Sequence, residues 1–120
     1  MPLIHIHLLK GKSAKYTQAI SEGVHKAIGT AWGIANTARF QVIHRHAAAE
    51  LQMDKTFWGL KSSDKRVVIV VSTTPRSMAQ KKAFYRDLLR NLAKDPKIDK
   101  KDVMITLLEI PEINWYTARD

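Results

Sequence analysis

The sequence predicts an α/β (α+β) domain, a tandem βαβ repeat forming a four-stranded, largely parallel sheet with two helices on one face. Three observations carry this reading. An alternating apolar strand stands at the very start of the chain, two amphipathic helices each follow a strand, and the two halves match when one is slid 64 positions along the other. Sequential strand, helix and strand joined by short loops give a parallel, right-handed unit. Two such units can pool their strands into one sheet with both helices on the same side.

From Pro2 to Leu9 apolar residues alternate, with Ile4, Ile6 and Leu8 on one face and Leu3, His5, His7 and Leu9 on the other. Gly11 ends this strand. Ser13 is placed to cap a helix whose Ile20, Val24, Ile28 and Ala31 form one stripe, and Gly33 closes it. A second strand is expected at Phe40-Gln41-Val42-Ile43-His44. The stretch from Ala47 to Leu60, with Met53, Phe57, Trp58 and Gly59, reads as a crossing hairpin or extended arm. Lys61 to Lys65 reads as the polar joint between repeat halves 1–60 and 66–120 of a single 120-residue domain.

The second half begins with Val67 to Val71, a β-branched run expected of a strand buried on both faces. Ser77-Met78-Ala79-Gln80 is a capping box. It opens a helix with Phe84, Leu88 and Leu92 on one face, and Asp95-Pro96 stops that helix. Asp102 to Ile110 is the fourth strand. The 64-residue shift lays Ile4-His5-Ile6-His7 on Val68-Ile69-Val70-Val71, Ser13 on Ser77, and Ile20, Val24 and Ile28 on Phe84, Leu88 and Leu92. Phe40 meets Val103 once one loop residue is dropped. The sheet face away from the helices is left for another subunit to cover.

Composition narrows the function. No cysteine is present, which excludes disulfides, thiol catalysis and thiolate metal sites. No apolar run reaches the length of a membrane span, and the N-terminus lacks a signal-peptide layout, so a cytoplasmic protein without membrane association is expected. Twenty Lys and Arg against eleven Asp and Glu give a charge of +9, a field that attracts anions such as carboxylate metabolites. Lys82, Arg86, Arg90 and Lys94 fall at i,i+4 spacing, as on a solvated helix face. No zinc-finger, RRM or KH pattern supports a nucleic-acid partner. Nucleophile-elbow, P-loop and dinucleotide glycine motifs are likewise missing.

Pro2 is the sharpest chemical signal. Removal of Met1 ahead of a small residue would leave a secondary amine at the terminus. An ordinary α-amino group titrates near ~7.7–8. Burial beside a cation lowers that value and makes a base poised for neutral pH. Pro2 at the head of a fused βαβ–βαβ chain resembles the tautomerase superfamily, and the likeness is greatest to its branch containing malonate semialdehyde decarboxylase. The segments that carry it are Met1-Pro2-Leu3-Ile4, Arg39-Phe40-Gln41-Val42-Ile43 with His46, Pro75-Arg76-Ser77 leading to Gln80-Lys81 and Phe84-Tyr85-Arg86, and Asn114-Trp115.

The resemblance implies a cofactor-free homotrimer, with the amino-terminal proline at the base of each pocket as general base or carbonyl-polarising cation. It also implies an arginine at the start of the second helix, matched by Arg76, that holds a substrate carboxylate. A guanidinium fork suits that task. Thr74, Trp115 and Tyr116 complete the expected substrate-binding set. Two departures stand out: Ala38 and Thr74 occupy positions where the decarboxylase pattern carries an aspartate and a second arginine. The tail also differs, with Trp115-Tyr116-Thr117 in place of a tryptophan followed by Ser-Phe-Gly. Decarboxylation and hydrolytic dehalogenation are therefore not expected.

Two functions remain. One is a tautomerase (isomerase) acting on a small 2-keto or enol carboxylic acid. The other is a catalytically silent trimer that binds an anion or a protein partner. His5 and His7 share one strand face, as do His44 and His46 on a strand expected nearby. Imidazoles in this number can ligate zinc, nickel or copper, but i,i+2 polar residues more often mark the wetter side of a sheet, and no metal is expected.

Overall fold

The computed structural model describes residues 2–54 and 62–118. Six main elements follow the expected order: β1 (Leu3–Leu9), α1 (Ala14–Trp32), β2 (Gln41–His46), β3 (Val67–Thr73), α2 (Met78–Lys94) and β4 (Val103–Glu109). They form one mixed sheet in the order β2-β1-β3-β4. Each βαβ unit pairs its own strands in parallel, and the halves join through an antiparallel β1–β3 contact.

Local chemistry sets the helix ends. Ser13 Oγ accepts the Tyr16 N–H, and Gly33 leaves α1 with φ +68°, a left-handed conformation that a residue with a Cβ adopts at a cost. At α2 the Ser77 hydroxyl accepts the Gln80 N–H while the Gln80 side chain accepts the Ser77 N–H, a complete capping box. The two helices lie side by side at Gly23, where an added Cβ would sit 3.3 Å from Leu92 Cδ2. Asn91 locks this approach by donating from its side chain to the Gly23 carbonyl.

The core lies between helices and sheet. Ile4, Ile6 and Leu8 of β1 and Val67, Ile69 and Val71 of β3 meet Ile20, Val24 and Ile28 of α1 and Phe84, Leu88 and Leu92 of α2. Burial of each such side chain stabilises the fold by about 1.5–3 kcal/mol. Two carboxylates, Asp87 and Asp102, are buried among the described residues, and Asp87 lies between the helices. It accepts from Thr30 at 2.7 Å, Arg86 at 3.1 Å and Arg90 at 3.0 Å, and these bonds hold its pKa below the usual carboxylate range, the Thr30 bond first.

Several expectations need correction. β3 is not buried on both sides: Val67, Ile69, Val71 and Thr73 are buried while Val68, Val70 and Ser72 are half-exposed. The repeat is also in a different strand register. The helices match with the 64-residue shift, but inward-facing Ile4, Ile6 and Leu8 correspond to Ile69, Val71 and Thr73, one residue further on. A single 64-residue shift reverses the faces because strand side chains alternate with period two. Both strand-to-helix loops are four residues long, 10–13 and 74–77, so the strands keep matching bounds at this shift while facing opposite ways. Gln41, which packs onto Ser21 of α1, pairs with Ile4 as Ile105 pairs with Ile69, so the strand pairing matches Gln41 to Ile105 and does not bring Phe40 onto Val103. The second and fourth strands run over 41–46 and 103–109 instead of 40–44 and 102–110. Of the expected arm, residues 48–50 form a short 3₁₀ turn. Phe57, Trp58 and Gly59, like Met1, lie outside the described residues. Among the described residues no helix is long and apolar enough to cross a membrane.

Candidate active site

Pro2 is buried, and it stands on the helix-covered side of the sheet with Ile4 and Ile6. The antiparallel ladder places Leu3 opposite Ser72, so Pro2 and Thr73 face one another one step beyond. Thr73 is fully buried and ends β3 just before the turn Thr74-Pro75-Arg76 that leads into α2. Its hydroxyl accepts the Arg76 Nε–H at 3.1 Å and donates to the Thr74 carbonyl at 3.0 Å.

Arg76 is fixed from three sides. Its backbone N–H donates to Glu109 Oε2 at 2.8 Å, its Nε is tied to Thr73, and its guanidinium lies over the Trp32 ring with 4.7 Å between the guanidinium carbon and the ring centroid. Trp32 is itself anchored. Its indole N–H donates to the Gln80 carbonyl at 2.9 Å, and its ring packs on Phe84 at 4.8 Å. Glu109 also accepts from Lys81 Nζ at 2.9 Å, and these two donors, Lys81 first, keep its pKa below the usual carboxylate range.

Arg76 carries a half-buried charge. Among the described residues no carboxylate forms an ion pair with the guanidinium. Its pKa is lowered by burial. A desolvated cation without a counter-ion favours an incoming anion. The terminal nitrogens of its fork are the part free to meet one, because Nε is already committed.

The chain leaves β4 at the same end of the sheet. The Ile110 N–H donates to the Thr73 carbonyl at 2.8 Å, and a 3₁₀ turn over Glu112–Asn114 leads to Trp115. Trp115 is half-buried and its Nε1 has no hydrogen-bond partner among the described residues, as is true of Thr117 Oγ1. Tyr116 is 83% exposed. Pro2, Thr74 and Arg76 are thus gathered at one sheet end, and Trp115 and Tyr116 lie on the tail that starts there. The cluster further contains Trp32, Thr73, Lys81 and Glu109, which sequence reasoning did not assign. The spacing of helix positions marks Trp32 only as an end-of-helix aromatic, and Thr73 follows an apolar run. Nothing local links Trp32 to Arg76.

On the opposite face, His5 Nδ1 lies 2.8 Å from His44 Nε2, and His7 Nδ1 lies 2.8 Å from His46 Nε2. His7 and His44 stack between these pairs, 4.3 Å apart with ring planes at 8°. The nitrogens point at one another rather than toward a common centre. Among the described residues no group of three or more metal-ligating side chains is positioned to hold an ion.

Two parallel βαβ units sharing one sheet, with a buried proline at the head of β1 and an arginine entering α2, define the tautomerase class of protein. A family model for tautomerase enzymes matches residues 38–116, and a second one matches residues 2–59. The chain belongs to the tautomerase family. It is 24% identical over 115 residues to the probable tautomerase YrdN of Bacillus subtilis (strain 168), a match spanning 96% of this chain and 89% of that protein. It is 27% identical over 116 residues to the probable tautomerase YusQ of the same organism, covering 96% and 91% respectively. Among solved structures it is similar to a malonate semialdehyde decarboxylase, with 28% identity, a TM-score of 0.92, and coverage of 98% of this chain and 91% of the other. A fused 4-OT symmetric trimer, at 19% identity, a TM-score of 0.79 and coverage of 97% and 91%, shares the fold.

Proposed function

We propose that this protein is a cofactor-free keto–enol tautomerase acting on a small 2-keto or enol carboxylic acid, with Pro2 as general base and Arg76 as the carboxylate clamp. The observation that carries the reading is the Arg76 guanidinium: held by Thr73 and Trp32, unpaired with any carboxylate among the described residues, and one residue pair away from the buried Pro2. With Met1 removed, the ring nitrogen of Pro2 is a secondary amine. It takes the enol hydroxyl proton and returns a proton to the adjacent carbon, while Arg76 fixes the carboxylate. One proton relay and one anchor suffice for this reaction. Thr74, Trp115 and Tyr116 contribute the remaining wall of the pocket.

The same reading includes a homotrimer. The open sheet face exposes Val42, Met104 and Leu108 at 40, 45 and 52%. Apolar side chains exposed on both edge strands of one sheet face are normally covered in a soluble protein, and fold relatives are trimers.

The test combines intact mass with kinetics. Mass spectrometry is expected to show a chain beginning at Pro2. Ketonisation of phenylenolpyruvate is expected to fall at least tenfold in Pro2→Ala, because a primary amine differs from the ring nitrogen in basicity and rigidity. Arg76→Ala is expected to act chiefly on KM. Equal rates in wild type and Pro2→Ala would make the proline structural, and an unchanged KM would remove Arg76 from the site.

A further inference from the structure

We infer that the four-histidine ladder on the open sheet face makes the association of subunits proton-linked: assembled when the ladder is closed and neutral, released when it charges and opens. The inference rests on the trimer reading above and adds a control to it.

The geometry of the ladder supplies the argument. Each N···N contact of 2.8 Å, His5 with His44 and His7 with His46, needs one nitrogen to donate and the other to accept. A neutral pair satisfies this, and so does a pair carrying one extra proton. A doubly protonated pair sets N–H against N–H and must open. The stacked His7 and His44 rings, at 4.3 Å, add cation–cation repulsion once both pairs charge. The closed ladder therefore holds at most two extra protons per chain, whereas four open imidazoles hold four.

Among the described residues of the neighbouring strands, none on this face offsets the charge. Across the sheet, β3 presents Val68, Val70 and Ser72, and β4 presents Met104, Thr106 and Leu108, none ionisable. The nearest charged residues along β1 and β2 are Arg45 and Lys10, both cations, and the Lys10 N–H donates to the His46 carbonyl. Burial, followed by the charges of His44, His46 and His5, holds the pKa of His7 below its ordinary value. The sign follows: a base whose pKa is depressed in the closed form favours that form above its free pKa, near 6.5, and loses the preference as pH falls.

A second copy is the occupant these features fit. Paired imidazoles satisfy one another and can be buried in neutral form without stranding a charge, and the flanking residues are apolar. An acidic partner would be drawn instead to charged imidazoles. It would give the opposite pH dependence.

Sedimentation velocity from pH 8 to pH 5, with a chelator present throughout, tests the inference. The expected result is a trimer at pH 8 that dissociates below about pH 6.5. Uptake of at least two protons per trimer would shift the trimer–monomer equilibrium at least a hundredfold per pH unit. In His7→Phe/His44→Phe, which keeps flat stacked rings but removes both N–H···N pairs, the shift is expected to fall below tenfold per unit. Circular dichroism at pH 8 checks that this variant is folded, and imidazole nitrogen NMR of the wild type counts ladder protons if it is not. No net uptake of protons by the ladder on dissociation would overturn the linkage. Persistence of the wild-type trimer at pH 5, equal slopes in wild type and variant, or dissociation by chelator at pH 8 would do the same. A wild-type monomer at pH 8 without chelator would overturn the trimer reading along with it.

Discussion

Replacing Trp32 by leucine tests whether Arg76 is held ready for its ligand. The Trp32 ring supports the guanidinium at 4.7 Å and is itself pinned by its bond to the Gln80 carbonyl. A cation–π contact at a partly desolvated site contributes about 1–2 kcal/mol. Leucine keeps apolar bulk but offers no π face, so Arg76 gains freedom that ligand binding must then remove. The expected effect is a rise in KM of roughly 5- to 30-fold, with kcat changed less than about threefold. Thermal stability also falls by about 1 kcal/mol for the lost indole bond, and by more for the lost packing on Phe84. Trp32→Phe, which retains a ring face, should raise KM less than threefold. The decisive assay is the double-mutant cycle with Arg76→Ala, read as KM for phenylenolpyruvate. If Trp32 acts through Arg76, Trp32→Leu has no further effect on KM once the arginine is gone, giving a coupling of about 1–2 kcal/mol. Additive effects on KM would show that Trp32 supports the fold alone, and the argument from the stacked guanidinium would be refuted.

Two other outcomes follow from charges that are missing or buried. Malonate semialdehyde should be decarboxylated only at a trace rate, because Ala38 and Thr74 supply neither a carboxylate nor a second cation, and one well-placed charge typically contributes ~3–4 kcal/mol to such a step. Ala38→Asp combined with Thr74→Arg should raise decarboxylation more than ketonisation in parallel assays, and robust wild-type turnover would contradict this. Asp87→Ala should destabilise the fold by about 2 kcal/mol in a denaturant melt, since it removes the acceptor shared by Thr30, Arg86 and Arg90. The folded-state pKa of Asp87 is depressed, so its contribution is complete above its unfolded value near 3.8 and is lost as pH falls below that. The difference between wild type and variant should therefore shrink on acidification toward pH 2, and a difference constant from pH 7 to 2 would count against it.

Local spacing determined most of the architecture. Alternation in Leu3–Leu9, the stripe Ile20, Val24 and Ile28, the Ser77–Gln80 box and Gly33 each act through neighbours a few residues away, so their effect is legible in one dimension. Pro2 was legible as a candidate from its place behind Met1 at the head of a strand, and Arg76 through the resemblance to the tautomerase superfamily. Strand parity was not: a one-residue slip reverses every side chain, and only packing against Phe84, Leu88 and Leu92 decides which face of β3 turns inward. Nor does spacing reveal that Trp32 supports Arg76 or that Glu109 takes its backbone N–H, because these partners lie 44 and 33 residues away in two other elements. The histidines show the same division. Their i,i+2 spacing placed two on each strand, but the parallel register of β1 and β2 brought His7 opposite His44 and stacked four rings into a ladder. Contacts between distant segments are set by how whole elements dock, and that depends on the sum of the core rather than on any local run of residues.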